Sequence, residues 1–160
     1  MYFNAGFSQE TIFDIARSGS VEQAKVLMKS EPNCINQKNK DGYTPLILAC
    51  YRSNNEVAVF LIENGAVIDE NSPMGTALMA AVVKGNIEIA DLLLKKKANV
   101  NSFDENGTSS LIYAIQFNNV KVVRLLLEYK ADKTHKDNDG KTAFEHAVFS
   151  GNEEIINLLK

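Results

Sequence analysis

Apolar residues along the chain come in short runs, and the runs come in pairs. The second member of each pair reads VEQAKVLM from Val21, EVAVFLI from Glu56, IEIADLLL from Ile87, VKVVRLLL from Val120 and EEIINLLK from Glu153. Its apolar residues fall at i, i+3 and i+4, as Ile89, Leu92 and Leu93 do. That spacing predicts a helix with one buried stripe. The first member is a helix of about two turns, in TIFDIARSGS from Thr11, DGYTPLILACYRSNN from Asp41, GTALMAAVVKGN from Gly75, GTSSLIYAIQFNN from Gly107 and DGKTAFEHAVFSGN from Asp139. Between pairs lie clusters of Asp, Asn and Gly, which form turns.

The pairs line up. An anchor apolar residue recurs at Ile12, Leu46, Leu78, Leu111 and Phe144, at spacings of 34, 32, 33 and 33. The short spacing has a cause: one residue separates Gly42 from Thr44, and none separates Gly75 from Thr76. Thr44, Thr76, Ser109 and Thr142 stand where a hydroxyl caps a helix start. Pro45 follows Thr44 at a first-turn position that needs no amide donor. Three residues after the anchor come Ile15, Ala49, Ala81, Ala114 and Ala147, mostly small side chains that let neighbouring helices approach. Gly19, Ser53, Gly85, Asn118 and Gly151 end the first helices, and Gly and Asn tolerate the left-handed conformation found there. The second helices end at Gly65-Ala66, Lys97-Ala98 and Lys130-Ala131, and Val67–Asp69 and Asn99–Asn101 read as extended pieces after them.

A period near 33 residues means a stack in which each unit buries its faces on its neighbours. The pattern TPL…A…G…LLL..GA.(V/I)(N/D) resembles the ankyrin repeat over residues 9 to 160. The resemblance implies an all-α solenoid of helix-turn-helix units joined by β-turn loops, about five repeats including both caps. It divides the chain into an N-terminal arm, 1–8, and a repeat domain, 9–160. Within the domain it implies an N-terminal cap repeat at about 9–40, internal repeats at 41–72, 73–105 and 106–138, and a C-terminal cap repeat at 139–160. The end repeats then need polar outer faces. Asp14, read in the column of Leu48, Ala80 and Tyr113, supplies polarity at one end.

The departures from the family pattern are local. Ala77, Ser110 and Ala143 replace the proline, and Ile47, Met79, Ile112 and Glu145 replace the usual histidine. Lys97 and Lys130 replace the glycine that ends the second helix. A left-handed lysine costs on the order of 1 kcal/mol, so this array is expected to be less stable than one with glycines there.

Composition narrows function by exclusion. The 160 residues carry 17 basic and 20 acidic side chains, net -3. That is no footprint for nucleic acid or an anionic membrane, and no apolar run is long enough to span a bilayer. Residues 1–8, MYFNAGFS, lack the basic and apolar regions of a secretion leader. Two cysteines imply no disulfide framework; Cys50 reads as a small buried hydrophobe and Cys34 as a loop residue. The two histidines, His135 and His146, read as structural. Asp137-Asn138-Asp139-Gly140 resembles part of a calcium loop, but His135 and His146 would then stand where carboxylates are required. Neither catalytic residues nor metal ligands nor a cofactor are expected.

By resemblance, family members bind proteins through a concave surface of first helices and β-turn tips. Counting along the repeats puts Arg17, Tyr51, Arg52, Val83, Lys84, Gln116, Phe117 and Phe149 on the helices of that surface. It puts Tyr43, Asn106 and Lys141 on the tips, with Lys40, Met74 and Thr108. Aromatic residues beside arginine suit interface hot spots. The expectation is a non-enzymatic protein-protein interaction module, cytoplasmic and monomeric, with another protein as partner and no nucleic acid or membrane. Abundant Asn and Lys with scarce Arg point to an AT-rich genome, and the chain looks similar to small free-standing bacterial ankyrin proteins. A secreted effector or inhibitor using the same surface, an accessory protein of a stress enzyme such as catalase, and a homodimeric assembly piece remain open as alternatives.

Overall fold

The computed structural model describes residues 10–160, and the arm expected at residues 1–8 lies outside them. Five helix pairs follow one another. They are α1 (Ile12–Ser18) with α2 (Val21–Ser30), α3 (Pro45–Arg52) with α4 (Asn55–Glu63), α5 (Ala77–Val83) with α6 (Ile87–Lys95), α7 (Ser110–Gln116) with α8 (Val120–Glu128), and α9 (Ala143–Ser150) with α10 (Glu153–Leu159). A 3-10 turn, Pro32–Asn36, follows α2 and holds Cys34. The loop expected around Cys34 is therefore a wound turn whose Cys34 and Ile35 are buried, Cys34 at 1% exposed. The first helices pack on one another in chain order, α1 to α9, and the second helices form a looser layer behind them.

Hydroxyl caps set the start of every first helix. The side chains of Thr11, Thr44, Thr76, Ser109 and Thr142 accept the amide of the residue three positions on. Asparagine does the same for α6, α8 and α10, satisfying donors that the helix itself leaves free. The caps correct the register of the first repeat. Thr11, not the residue before it, matches Thr44, so Ala16 falls in the column of Ala49, Ala81, Ala114 and Ala147. All five alanines are fully buried. Ile15 therefore matches Leu48, and Asp14 matches Ile47, Met79, Ile112 and Glu145. The first repeat is one residue shorter at its inter-helix turn: Gly19 has φ -87°, whereas Ser53, Gly85, Asn118 and Gly151 lie between 55° and 71°.

Asp14 and Glu145 thereby occupy one column at the two ends of the stack. Each closes a capping box with its N-cap threonine, and the two donor groups of that threonine hold each carboxyl below its ordinary value. In the three internal repeats the column is apolar and at most 4% exposed. The far end is otherwise less polar than a cap requires. Phe144 and Val148 are 39% and 53% exposed, while Leu46, Leu78, Leu111, Cys50, Val82 and Ile115 in the same two columns are at most 1% exposed.

Lys97 and Lys130 adopt φ of 67° and 65°, matching Gly65 at 95°. The pieces expected to be extended after them are turns. Pairing at the tips is confined to single bridges, Ser72 with Gly75, Phe103 with Ser109 and Lys136 with Thr142. Side-chain hydrogen bonds staple one tip to the next instead. Asn36 accepts from the Val67 amide at 2.8 Å, Asp69 from the Asn99 amide at 2.8 Å and Asn101 from the Asp132 amide at 2.8 Å. On the second-helix face Arg124 of α8 pairs with Glu154 of α10 at 2.7 Å.

Candidate functional site

The first helices and the projecting tips together line a groove. Its floor comes from the third and fourth positions of the first helices, Ile47 and Leu48 of α3 and Met79 and Ala80 of α5. All four are between 1% and 8% exposed, so they are core residues whose outer edge faces the groove. The walls are Tyr43, Met74 and the Asn39–Asp41 tip on one side, and Arg17, Tyr51, Arg52, Val83 and Phe117 from the ends of the first helices on the other, with Tyr113 at the α7 end. The groove has a volume of about 510 Å³, within the ~300–1,000 Å³ common for ligand sites.

Seven of the fourteen residues singled out from sequence meet here: Arg17, Tyr43, Tyr51, Arg52, Met74, Val83 and Phe117. An eighth, Lys84, reaches the rim, its ammonium 4.9 Å from the centre of the Tyr51 ring. That distance gives a cation–π contact and holds the ring in place. Gln116, Lys141 and Phe149 lie apart, in a second depression at the α9 end with Glu145 and His146. Phe149 is 94% exposed. Asn106 lines neither depression. Its amide donates to Asp104 at 2.9 Å and its carbonyl accepts from the Asn138 amide at 3.0 Å, so its backbone joins two tips.

The floor residues and Tyr113 were not singled out from sequence. A signal for them existed: their two columns are apolar in the internal repeats and turn acidic or imidazole at the last. Tyr113 is held by chemistry specific to its repeat. The buried Asp104 carboxylate takes the amides of Asn106 and Thr108 at 2.9 Å each and the Tyr113 hydroxyl. Burial and that carboxylate push the Tyr113 hydroxyl up to about 12, so it stays a donor and fixes the ring against the tip.

The next repeat repeats the device with different atoms. Asp137 takes the amides of Asp139 and Lys141 at 3.0 and 2.9 Å, and His146 Nε2 lies 2.6 Å from its second oxygen. Burial pushes the Asp137 carboxyl up, but the hydrogen bond from His146 and those amides outweigh it and leave the group below its ordinary value. His135 stacks on Phe103 with ring centres 5.0 Å apart, and its Nε2 lies 2.7 Å from the Gly107 carbonyl. Both histidines thus have structural partners. Cys50 is fully buried, which pushes its thiol up to about 12 and makes it a poor nucleophile. Among the described residues no cluster of three or more His, Cys, Asp or Glu is placed to hold a metal ion, and no helix is long and apolar enough to cross a membrane.

Comparison with known proteins matches the same architecture. A family model described as ankyrin repeats (3 copies) fits residues 12–104 and again 100–160. Ankyrin repeat and SAM domain-containing protein 6 of Mus musculus is 33% identical over 109 residues, covering 67% of this chain and 12% of that protein. E3 ubiquitin-protein ligase XBAT33 of Arabidopsis thaliana is 33% identical over 105 residues, covering 64% of this chain and 20% of that protein. Protein fem-1 homolog A-like of Mus musculus is 36% identical over 77 residues, 48% of this chain and 12% of that protein. The chain thus spans a fifth or less of the length of each of these relatives.

Proposed function

The chain belongs to the ankyrin repeat family, and on that premise we propose that it works as a protein-protein interaction module whose partner lies in the groove between the first helices and the tips. Repeats of this family are generally interaction modules, and the relatives share this part and not their full length. The reading is of capture without turnover. The single observation that carries it is the groove itself: an apolar floor with Tyr51, Phe117 and Met74 standing 40%, 56% and 58% exposed along its edges. Aromatic and methionine side chains left at a surface in one concave patch are what interface hot spots are made of. The stack has no need of them: Leu46, Leu78 and Leu111 fill its interior. On this reading residues 9–160 act as one unit, and the partner's apolar side chains cover the floor.

The test is a double variant, Tyr51→Ala with Phe117→Ala, offered to a lysate of the native organism beside the wild-type chain. Partner capture should be lost while the helical circular dichroism stays that of wild type. Capture at wild-type strength by the double variant would move the docking site elsewhere.

A further inference from the structure

Charge around the groove is not that of the chain as a whole. The chain carries net -3, yet the ends of α1, α3 and α5 place Arg17, Arg52 and Lys84 along one wall of the groove, across three successive repeats. Of these, only Arg17 has a carboxylate partner among the described residues, Asp14 at 3.3 Å. Residues 1–9 contain no Asp or Glu that could neutralise the others. Lys84 faces the Tyr51 ring, which offers no negative charge. Across the groove stands one acid, Asp41 on the tip. The result is an apolar floor beside a wall on which Arg52 and Lys84 have no carboxylate partner among the described residues.

We propose that the occupant of this groove is a peptide segment carrying at least one large apolar side chain, seated between Tyr51, Met74 and Phe117, with two or more carboxylates beside it facing Arg52 and Lys84. The proposal rests on the groove being the docking site and adds the chemistry of what docks. Arg52 supplies a planar, bidentate donor pair suited to a carboxylate. Lys84 is already positioned by the Tyr51 ring, so little of its freedom is lost on binding. A neutral apolar segment fills the floor and leaves the two cations without partners. A basic one meets like charge, which costs affinity and slows encounter. Because the cations are at the rim, binding weakens as salt rises.

The experiment selects a random twelve-residue peptide library on the full chain at low salt, with counter-selection on the Tyr51→Ala, Phe117→Ala double variant. Enriched peptides should carry Asp or Glu within a few residues of Phe, Leu, Ile or Trp. A fluorescein-labelled copy of the consensus should bind Arg52→Glu, Lys84→Glu about tenfold or more weakly, as measured by anisotropy, and the loss should shrink at high salt. The same charge-reversed variant should bind a copy with its acids changed to lysine better than wild type does. Groove-dependent peptides that are neutral or basic would overturn the acidic occupant and leave the groove standing as the docking site. Peptides enriched equally on wild type and the double variant, or none at all, would overturn both.

Discussion

The third internal repeat and the last repeat use the same columns to different ends. In the former, Leu111 and Ile115 are buried by the neighbouring repeat, Ile112 is 1% exposed, and Asp104 is bound by a phenol. In the latter, Phe144 and Val148 stand in those columns half uncovered, Glu145 replaces the apolar residue, and Asp137 is bound by an imidazole. Both first helices start on a hydroxyl cap and are followed by a left-handed residue, Asn118 or Gly151. Only the presence of a neighbour decides whether a position is core or surface. Stability in such a stack is a sum over units and their contacts, so equal substitutions in the two repeats should have unequal effects.

The largest contrast is expected in the column of Ile115 and Val148. Ile115→Ala should cost about 2–5 kcal/mol in urea unfolding, as truncation of a fully buried side chain does. Val148→Ala should stay within about 0.5 kcal/mol, as at a surface site. Comparable losses at both would mean that the last repeat's face is covered in solution.

A second contrast lies between Gly65 and its counterparts Lys97 and Lys130, which hold the same left-handed conformation at the ends of their second helices. Replacing both lysines by glycine removes about 1–2 kcal/mol of left-handed cost each and returns about 0.5–1 kcal/mol each as glycine's chain entropy. The double variant should melt higher, at about 2–4 °C per kcal/mol gained for a chain of this size. An unchanged or lower melting temperature refutes the reading.

Ser110 sits where Pro45 sits in the second repeat, and its hydroxyl is buried without a hydrogen-bond partner. Ser109 before it is extended, φ -86° and ψ 165°, which proline tolerates in its predecessor. Ser110→Pro should therefore gain up to about 1 kcal/mol, read from the same urea curves; a loss would show that the Ser110 amide has a role.

The smallest effect is one of pH. The Asp137 carboxyl lies below its ordinary value in the folded chain. It stabilises the fold above the unfolded value of 3.8, and that contribution disappears as pH falls through the lower folded value. As pH falls through that value, amide exchange should speed up at Asp139 and Lys141, whose amides Asp137 accepts. His146→Phe removes a hydrogen bond that holds the carboxyl down, so it should move that onset to higher pH. An onset unmoved by the substitution would contradict the assignment.

Much of this was legible in the sequence, for physical reasons. The period, the hydroxyl caps and the left-handed turns each depend on one residue type at one position, so Thr142, Gly151 and even the unfavourable Lys97 announce themselves. The register of the first repeat did not, because Ile12 and Ile15 mimic the anchor pattern one residue out of step. It takes the cap on Thr11 and the close packing at Ala16 to choose. Nor did the groove floor: Ile47 and Met79 are apolar and periodic like any core residue, and only the packed structure shows that their edges line a groove. The clasps of Asp104 on Tyr113 and Asp137 on His146 each join a tip to a helix nine residues on, and composition alone does not pair them.

The most direct test of the docking account is a photo-crosslinking amino acid placed at position 51, on the groove, and in a separate variant at position 63, an exposed site on α4 in the second-helix layer. Irradiated in a lysate of the native organism, the first should yield discrete higher-mass adducts and the second none. Adducts from position 63 with none from 51 would contradict it.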